Sequence, residues 1–256
     1  MTFARDTLLI FKRQMTLSLR NPAWVIIGLT QPILYLAFFG PLLARIAGAP
    51  PLSAFTGGNA YRFFVPGLLV QLGLFGAAFV GFSIIADWRS GVVERMRVTP
   101  VSRLSILLGR VLRDVVVLLV QAVVLTLAGL AFGMRAPVAG VLIGLGFIAV
   151  LAVSLASVSY TVGLLTKSED VLAPMLNMVI VPLMLLSGIM LPMQVGPGWL
   201  NWVSRFTPFR YVIDAMRDAF KGHYLTTVMA EGIGVAVGLA ALCLFLGART
   251  FLRENA

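Results

Sequence analysis

Six times along this chain charged side chains all but vanish for about twenty residues, and no other feature limits the possible folds so strongly. The runs fall at 23–43, 63–86, 115–133, within 137–166, at 171–191 and at 228–248. A charge at mid-bilayer costs several kcal/mol, and a helix needs roughly 20 residues to cross the hydrocarbon core. Each run therefore predicts one membrane-spanning helix, the 137–166 stretch giving one helix with interfacial ends. Composition agrees: 59% of the 256 residues are hydrophobic and 12% charged, against about a quarter charged in soluble domains. The expected fold class is an all-α integral membrane protein, one six-span domain over 1–256.

Basic residues set the orientation, because cytoplasmic loops are enriched in Lys and Arg. With the N-terminus inside, the inner segments hold Arg5, Lys12, Arg13, Arg20, Arg89, Arg95, Arg97, Arg103, Arg110, Arg113, Lys167, Arg249 and Arg253. The outer side keeps Arg45, Arg62, Arg135, Arg205, Arg210, Arg217 and Lys221. Both termini are expected in the cytoplasm. The net charge of +10 belongs to this topology and does not point to nucleic acid. The "AGA" at 47–49 resembles a signal-peptidase site, but the preceding run exceeds the ~7–15 residues of a signal core, so a retained span is expected. Residues 1–22 are different. Phe3, Leu8, Phe11, Met15 and Leu19 recur at helical spacing opposite Asp6, Lys12, Arg13 and Gln14, which describes an amphipathic helix lying in the inner interface.

Within the spans, Gly129/Gly133, Gly140/Gly144 and Gly234/Gly238 have the four-residue spacing that permits close helix approach. Pro32, Pro66 and Pro182 predict local kinks. Cys243, the one cysteine, can form no intrachain disulfide, and His223 is the one histidine. A zinc site, an H-E-x-x-H protease and an intramembrane Ser/His dyad are therefore not expected. No span core carries the carboxylates or histidines that relay ions in self-powered pumps. No G-x-x-x-x-G-K-[ST] loop cradles a nucleotide. Any energy for transport must enter from outside the chain.

Residues 89–110, "RSGVVERMRVTPVSRLSILLGR", gather arginines between the second and third spans. A short helix with Val92, Val93 and Met96 on one side is expected to end at Thr99-Pro100, since the residue before proline disfavours helix. Ser102 can cap a new helix running into span three. The residues alone leave two readings open: a lever tied to two spans, or arginines that only enforce topology and meet anionic lipid.

Two stretches carry a resemblance that chooses between them. "FVPGLLVQ" at 64–71 with "DWRSGVVERMRVTPVSRLSILLGRVLRD" at 87–114 resembles the inner-loop signature of the ABC-2 family of ABC-exporter permeases. The matching elements are Gly91-Val92, Glu94-Arg95 and Thr99-Pro100-Val101-Ser102-Arg103, with Val92 where Thr is common in the family. "IVPLMLLSGIMLPMQVGPGWLNWVSRFTPFRYVIDAMR" at 180–217 is similar to the family's C-terminal signature, through Leu186-Ser187, Gly196-Pro197, Pro208-Phe209, Tyr211 and Arg217. Gln31-Pro32 fits as well. The likeness spans nearly the whole chain and is nearest to daunorubicin/doxorubicin-resistance exporters. It implies that Arg89, Ser90, Gly91, Glu94, Arg95, Arg97, Thr99 and Pro100 form a coupling helix seated on a cytoplasmic ATPase within the 87–104 loop. It implies too that Phe3, Phe11, Lys12, Arg13 and Met15 belong to a connecting helix beside it. Two ATPase copies, binding the ATP and Mg that this chain does not, would drive a pair of permeases, identical or paralogous, in a bacterial plasma membrane.

The 192–227 segment is expected to form two short re-entrant helices on the outer side. Trp199 and Trp202 share a helical face, as interfacial Trp does, and Arg210/Asp214 and Asp214/Arg217 stand at pairing distance. With Pro208, Phe209, Tyr211 and Arg217 they make a candidate outer gate, the plainer reading being an aromatic anchor with surface ion pairs. Gln31, Gln71, Phe75, Phe79, Tyr160, Asn177 and Met178 are candidate lining for an uncharged pathway suited to amphiphilic compounds, drug-like or lipid-like. Polysaccharide, glycolipid or siderophore cargo is the alternative within the family. A passive channel and a non-transport membrane partner of an ATPase are the rivals outside it.

Overall fold

The computed structural model describes residues 3–21, 23–46, 48, 56, 58–91 and 102–253. Its helices are α1 (Phe3–Arg20), α2 (Ala23–Ile46), α3 (Ala60–Ala78), α4 (Gly81–Arg89), α5 (Arg103–Ala131), α6 (Val138–Thr166), α7 (Glu169–Leu186), α8 (Gly198–Ser204), α9 (Pro208–Lys221) and α10 (Thr227–Arg253). A single 3-10 turn lies at Met193–Val195, and no strand occurs among the described residues. Six segments are long and apolar enough to cross a membrane: Val25–Arg45, Ala60–Arg89, Leu104–Ala131, Val138–Thr166, Glu169–Leu186 and Thr227–Thr250. The fold class and the number of spans read from the sequence both hold.

Three boundaries differ from the apolar runs, each for a physical reason. The second span is not one helix. It breaks at Phe79-Val80 between α3 and α4, where Ser159 of α6 intrudes: its hydroxyl donates to the Ala78 carbonyl and accepts from the Gly81 N–H at 2.8 Å. A Cβ at Gly81 would lie 2.4 Å from the Ser159 carbonyl oxygen, so only glycine allows this crossing. The third span begins at Arg103, twelve residues before the charge-free run. Ser102 caps it by accepting from the Ser105 N–H at 3.2 Å, and four charged residues, Arg103, Arg110, Arg113 and Asp114, lie within the helix. The fifth span stops at Leu186, because Ser187 caps it and Gly188 turns with φ +76°.

The core forms around the second span, most of which is buried, whereas little of α7 is. α7 and α2 thus show most of their apolar surface outward. The 29-residue α6 is one helix, about 43 Å at ~1.5 Å per residue, longer than the ~30 Å hydrocarbon core. The glycine pairs divide. At Gly140 and Gly144, α6 meets the Ala219 backbone and the Phe220 ring of α9. Gly129 faces Val65, whereas Gly133 turns with φ +100°. Gly234 and Gly238 have nothing within 4 Å, so they do not serve packing in this chain.

Candidate functional site

Charged side chains concentrate at the two ends of the bundle. One end carries the hairpin between α7 and α10, the other the connection between α4 and α5.

At the hairpin end, α9 begins with Pro208 in its first turn and ends at Gly222, φ +91°. Phe209, Val212, Ile213, Met216 and Phe220 form its buried face, packed on α6, α10 and α3. Arg217 goes in with them and is 5% exposed. Its Nε donates to the Phe63 carbonyl at 3.3 Å, and its Nη2 donates to the Gly188 and Ile189 carbonyls at 2.8 and 3.2 Å. The guanidinium also lies 3.7 Å from the Phe63 ring centroid, a cation–π contact. Burial pulls the Arg217 pKa down to about 10, against the attraction of Asp214. Burial likewise raises the Asp214 carboxyl, with Arg217 and Arg210 opposing. Asp214 stands 3.6 Å from Arg217 and 3.9 Å from Arg210. These are not the surface ion pairs of the plainer sequence reading. Arg217 ties the start of span two to the turn that leaves span five.

The aromatic part of the hairpin faces outward: Trp199 is 68% and Trp202 61% exposed. Trp202 meets Phe206 edge-on at 5.0 Å. The Tyr211 hydroxyl donates to the Arg205 carbonyl at 3.0 Å.

At the loop end, Arg110 donates to Asp87 at 2.5 Å, joining span three to α4. Arg113 pairs with its neighbour Asp114, and the Tyr160 hydroxyl of span four donates to the same carboxylate at 2.5 Å. Arg110 and Asp114 are each only 2% exposed. Arg110 and Arg113, expected in the inner connection, lie within α5, and nothing in their sequence spacing signals the contact of Asp114 with Tyr160. The Ser102 cap expected from the sequence is present, and the helix it starts runs unbroken through these charges. Arg89, with Ser90 and Gly91 behind it, is exposed and lies 3.5 Å from Glu169 at the head of α7. Glu94, Arg95, Arg97, Thr99 and Pro100 lie outside the described residues.

The amphipathic α1 packs on α5, where a Cβ at Gly109 would meet Ile10 at 2.8 Å. Lys12 and Arg13 are exposed, Phe11 and Met15 half-buried, and Phe3 is 49% exposed beside the outward Leu8 and Leu19. One residue departs from the sequence pattern. Asp6, read on the polar face, is 4% exposed and turned to the bundle.

The seven candidate lining residues are not gathered in one place. Phe75 and Phe79 stack at 6.2 Å and continue to Phe82 at 5.7 Å along the broken span. Gln71 is 1% exposed, and neither amide atom has a hydrogen bond among the described residues. Tyr160 commits its hydroxyl to Asp114. Gln31, Asn177 and Met178 lie on faces of α2 and α7 that the chain itself leaves uncovered.

Residues 5–221 match the family model described as ABC-2 type transporter. The chain is 27% identical to the doxorubicin resistance ABC transporter permease protein DrrC of Mycobacterium tuberculosis, over 94% of this chain and 85% of that one. It is 27% identical to the daunorubicin resistance ABC transporter permease protein DrrB1 of Streptomyces coeruleorubidus, over 76% and 70% of the two chains. A transport permease of Cyanophora paradoxa, ycf38, shares 27% identity over 84% of this chain and 74% of its own.

Proposed function

The chain belongs to the ABC-2 type transporter family, and on that premise we propose that it exports amphiphilic, drug-like or lipid-like compounds, powered by a separate ATPase. As a family member it is a membrane permease subunit of an ABC transporter, which implies association with an ABC ATPase and pairing with a second permease. The finer proposal places the α4–α5 connection and both termini in the cytoplasm, in a bacterial plasma membrane. Arg89, Ser90 and Gly91, with Glu94, Arg95, Arg97, Thr99 and Pro100, then dock on the ATPase, with Phe3, Phe11, Lys12, Arg13 and Met15 of α1 alongside. Two ATPase copies bind the ATP and Mg. Their closure pushes spans two and three, and the hairpin with Trp199, Trp202, Pro208, Phe209, Tyr211 and Arg217 opens outward.

One observation carries this reading. The described residues that flank the α4–α5 connection belong to held elements, α4 pinned to α6 by Ser159 and α5 capped at Ser102. A push that reaches Arg89 or Ser102 is thereby delivered to spans two and three. The uncovered faces holding Gln31, Asn177 and Met178 suit a pathway between two permease copies, with Gln71, Phe75, Phe79 and Tyr160 further inside. The drug-resistance names of the relatives support an amphiphilic cargo.

Affinity purification of the tagged chain from cells that also express a candidate ABC ATPase from the same source tests the coupling. Glu94→Lys or Arg95→Glu should release the ATPase while the permease stays folded. Retention of the ATPase in both variants, or current through bilayers without nucleotide, would overturn the proposal. Transport of every tested amphiphile surviving Phe75→Ala with Phe79→Ala would remove the lining assignment alone.

A further inference from the structure

Where span six meets the α8–α9 hairpin, a cavity of about 550 Å³ is lined by Arg205, Arg210, Tyr211, Asp214, Val228 and Glu231. That volume lies within the ~300–1,000 Å³ common for small-molecule sites. The charges around it are unequally engaged. Arg210 donates to the Asn201 carbonyl at 2.9 Å and to the Ser204 hydroxyl, and Asp214 sits between Arg210 and Arg217. Arg205 and Glu231 are both exposed, and their side chains have no hydrogen bond or ion pair among the described residues. One cation and one anion on two different elements thus face a shared cavity unpaired.

Their positions are fixed by neighbours. The Tyr211 hydroxyl holds the Arg205 backbone. Next to Glu231, Gly232 lets α10 close on α9 so tightly that a Cβ there would lie 2.9 Å from the Tyr211 carbonyl and 2.3 Å from the Ala215 Cβ. The exposed Trp199, Trp202 and Phe206 mark this end as a membrane interface.

We propose that the cavity binds the headgroup of a zwitterionic phospholipid with a primary ammonium, of the phosphatidylethanolamine type. Arg205 takes the phosphate, for which a guanidinium fork is the matched donor, and Glu231 takes the ammonium. A quaternary ammonium prefers an aromatic cage, and Tyr211 is a single ring. A net-anionic headgroup leaves Glu231 unpaired. Export and ATPase coupling play no part in this assignment; it needs only a bilayer interface at the hairpin end.

Native mass spectrometry of the delipidated full chain can test it, with phosphatidylethanolamine, phosphatidylcholine and phosphatidylglycerol of equal acyl chains added in turn. A charge-assisted contact predicts about tenfold preference for phosphatidylethanolamine over both others. Arg205→Ala and Glu231→Gln should each reduce its retention by a similar factor, and Glu231→Gln should abolish the preference over phosphatidylglycerol. Val228→Trp, which fills the cavity from an apolar wall, should displace the lipid as well. Equal retention of the three lipids, or unchanged retention in all three variants, overturns the proposal. So does soluble glycerophosphoethanolamine binding as tightly as the lipid, which would make the occupant a soluble phosphoester. The readout is indifferent to ATPase co-purification, so either proposal can fail alone.

Discussion

At the hairpin end Arg217 donates to three backbone carbonyls, those of Phe63, Gly188 and Ile189; at the loop end, side chain meets side chain, Arg110 with Asp87 and Arg113 and Tyr160 with Asp114. Carbonyl positions follow the path of the chain and have no rotamers to exchange. Carboxylates and guanidiniums can change partners when helices slide. The hairpin end is therefore built as an anchor and the loop end as a set of exchangeable contacts, which suits the proposed drive from the loop end. A polar group buried at either end is stabilising only while its partners remain.

The largest effect expected is at the anchor. Arg217→Met keeps the packing but strips donors from three carbonyls, at about 1–3 kcal/mol for each buried group left unsatisfied. For a chain of this size ~1 kcal/mol shifts the midpoint by ~2–4 °C, so melting in detergent should fall by on the order of 10 °C. Arg217→Lys, one point charge without the fork, should recover only part. A midpoint like that of the unmodified protein would break the contrast between the ends.

At the loop end, Asp114→Asn should cost about 2–3 kcal/mol, because Arg113 and the Tyr160 hydroxyl lose their anion. A double-mutant cycle with Tyr160→Phe should give a coupling of ~1–2 kcal/mol. Exchange of charge sharpens the comparison. Asp87→Arg combined with Arg110→Asp should regain much of what either change alone loses, a rescue that exchange with Asp214 cannot give Arg217, whose three hydrogen-bonded partners are backbone carbonyls. Ser159→Ala comes next, at about 1–2 kcal/mol, since the Gly81 N–H and Ala78 carbonyl are left unmatched.

The hairpin end also has a small acid dependence. Burial raises the Asp214 pKa above its ordinary value, so the folded chain binds that proton more tightly than the unfolded one. Stability from this group then increases as pH falls through the folded pKa. Asp214→Asn should flatten that slope, by less than ~1 kcal/mol, in melts recorded from neutral to mildly acidic pH.

The spans were legible because lipid demands uninterrupted apolar length, a one-dimensional property. The break at Phe79-Val80 was not, since it is made by Ser159, eighty residues away, and nothing local to "GFS" at 81–83 announces it. The helix that leads into span three begins at Ser102 as its cap suggests; the charge-free run starts only at Val115, because charge marks where lipid ends whereas a cap marks where a helix begins. The hairpin partners Arg210, Asp214 and Arg217 were readable from spacing, yet their burial was not. Whether an arginine at spacing i+3 from an aspartate faces water or three carbonyls depends on Phe63 and Gly188, far away in the chain. Of the candidate lining residues, Phe75 and Phe79 do sit side by side as their spacing suggests. Tyr160 is a candidate lining residue by its ring, yet its hydroxyl serves Asp114, a carboxylate that the charge pattern alone assigns to the connection between spans.

The smallest effect belongs to Arg89 and Glu169. They approach to 3.5 Å, but their side chains are 51% and 43% exposed, and a pair in that setting contributes roughly 0–0.5 kcal/mol. Arg89→Gln and Glu169→Gln should therefore leave the melting midpoint unchanged, singly or together, at low and high salt. Their placement matters more than their energy. Arg89 closes α4 and Glu169 opens α7, so the contact bridges the second and fifth spans beside the proposed ATPase seat. A weak bridge there lets the two spans separate at little cost when that seat moves. Arg89→Glu should lower ATPase retention without altering stability. A measured coupling above about 1 kcal/mol between Arg89 and Glu169 would mean that this end is pinned as firmly as the other, and the distinction between anchor and exchangeable contacts would fail.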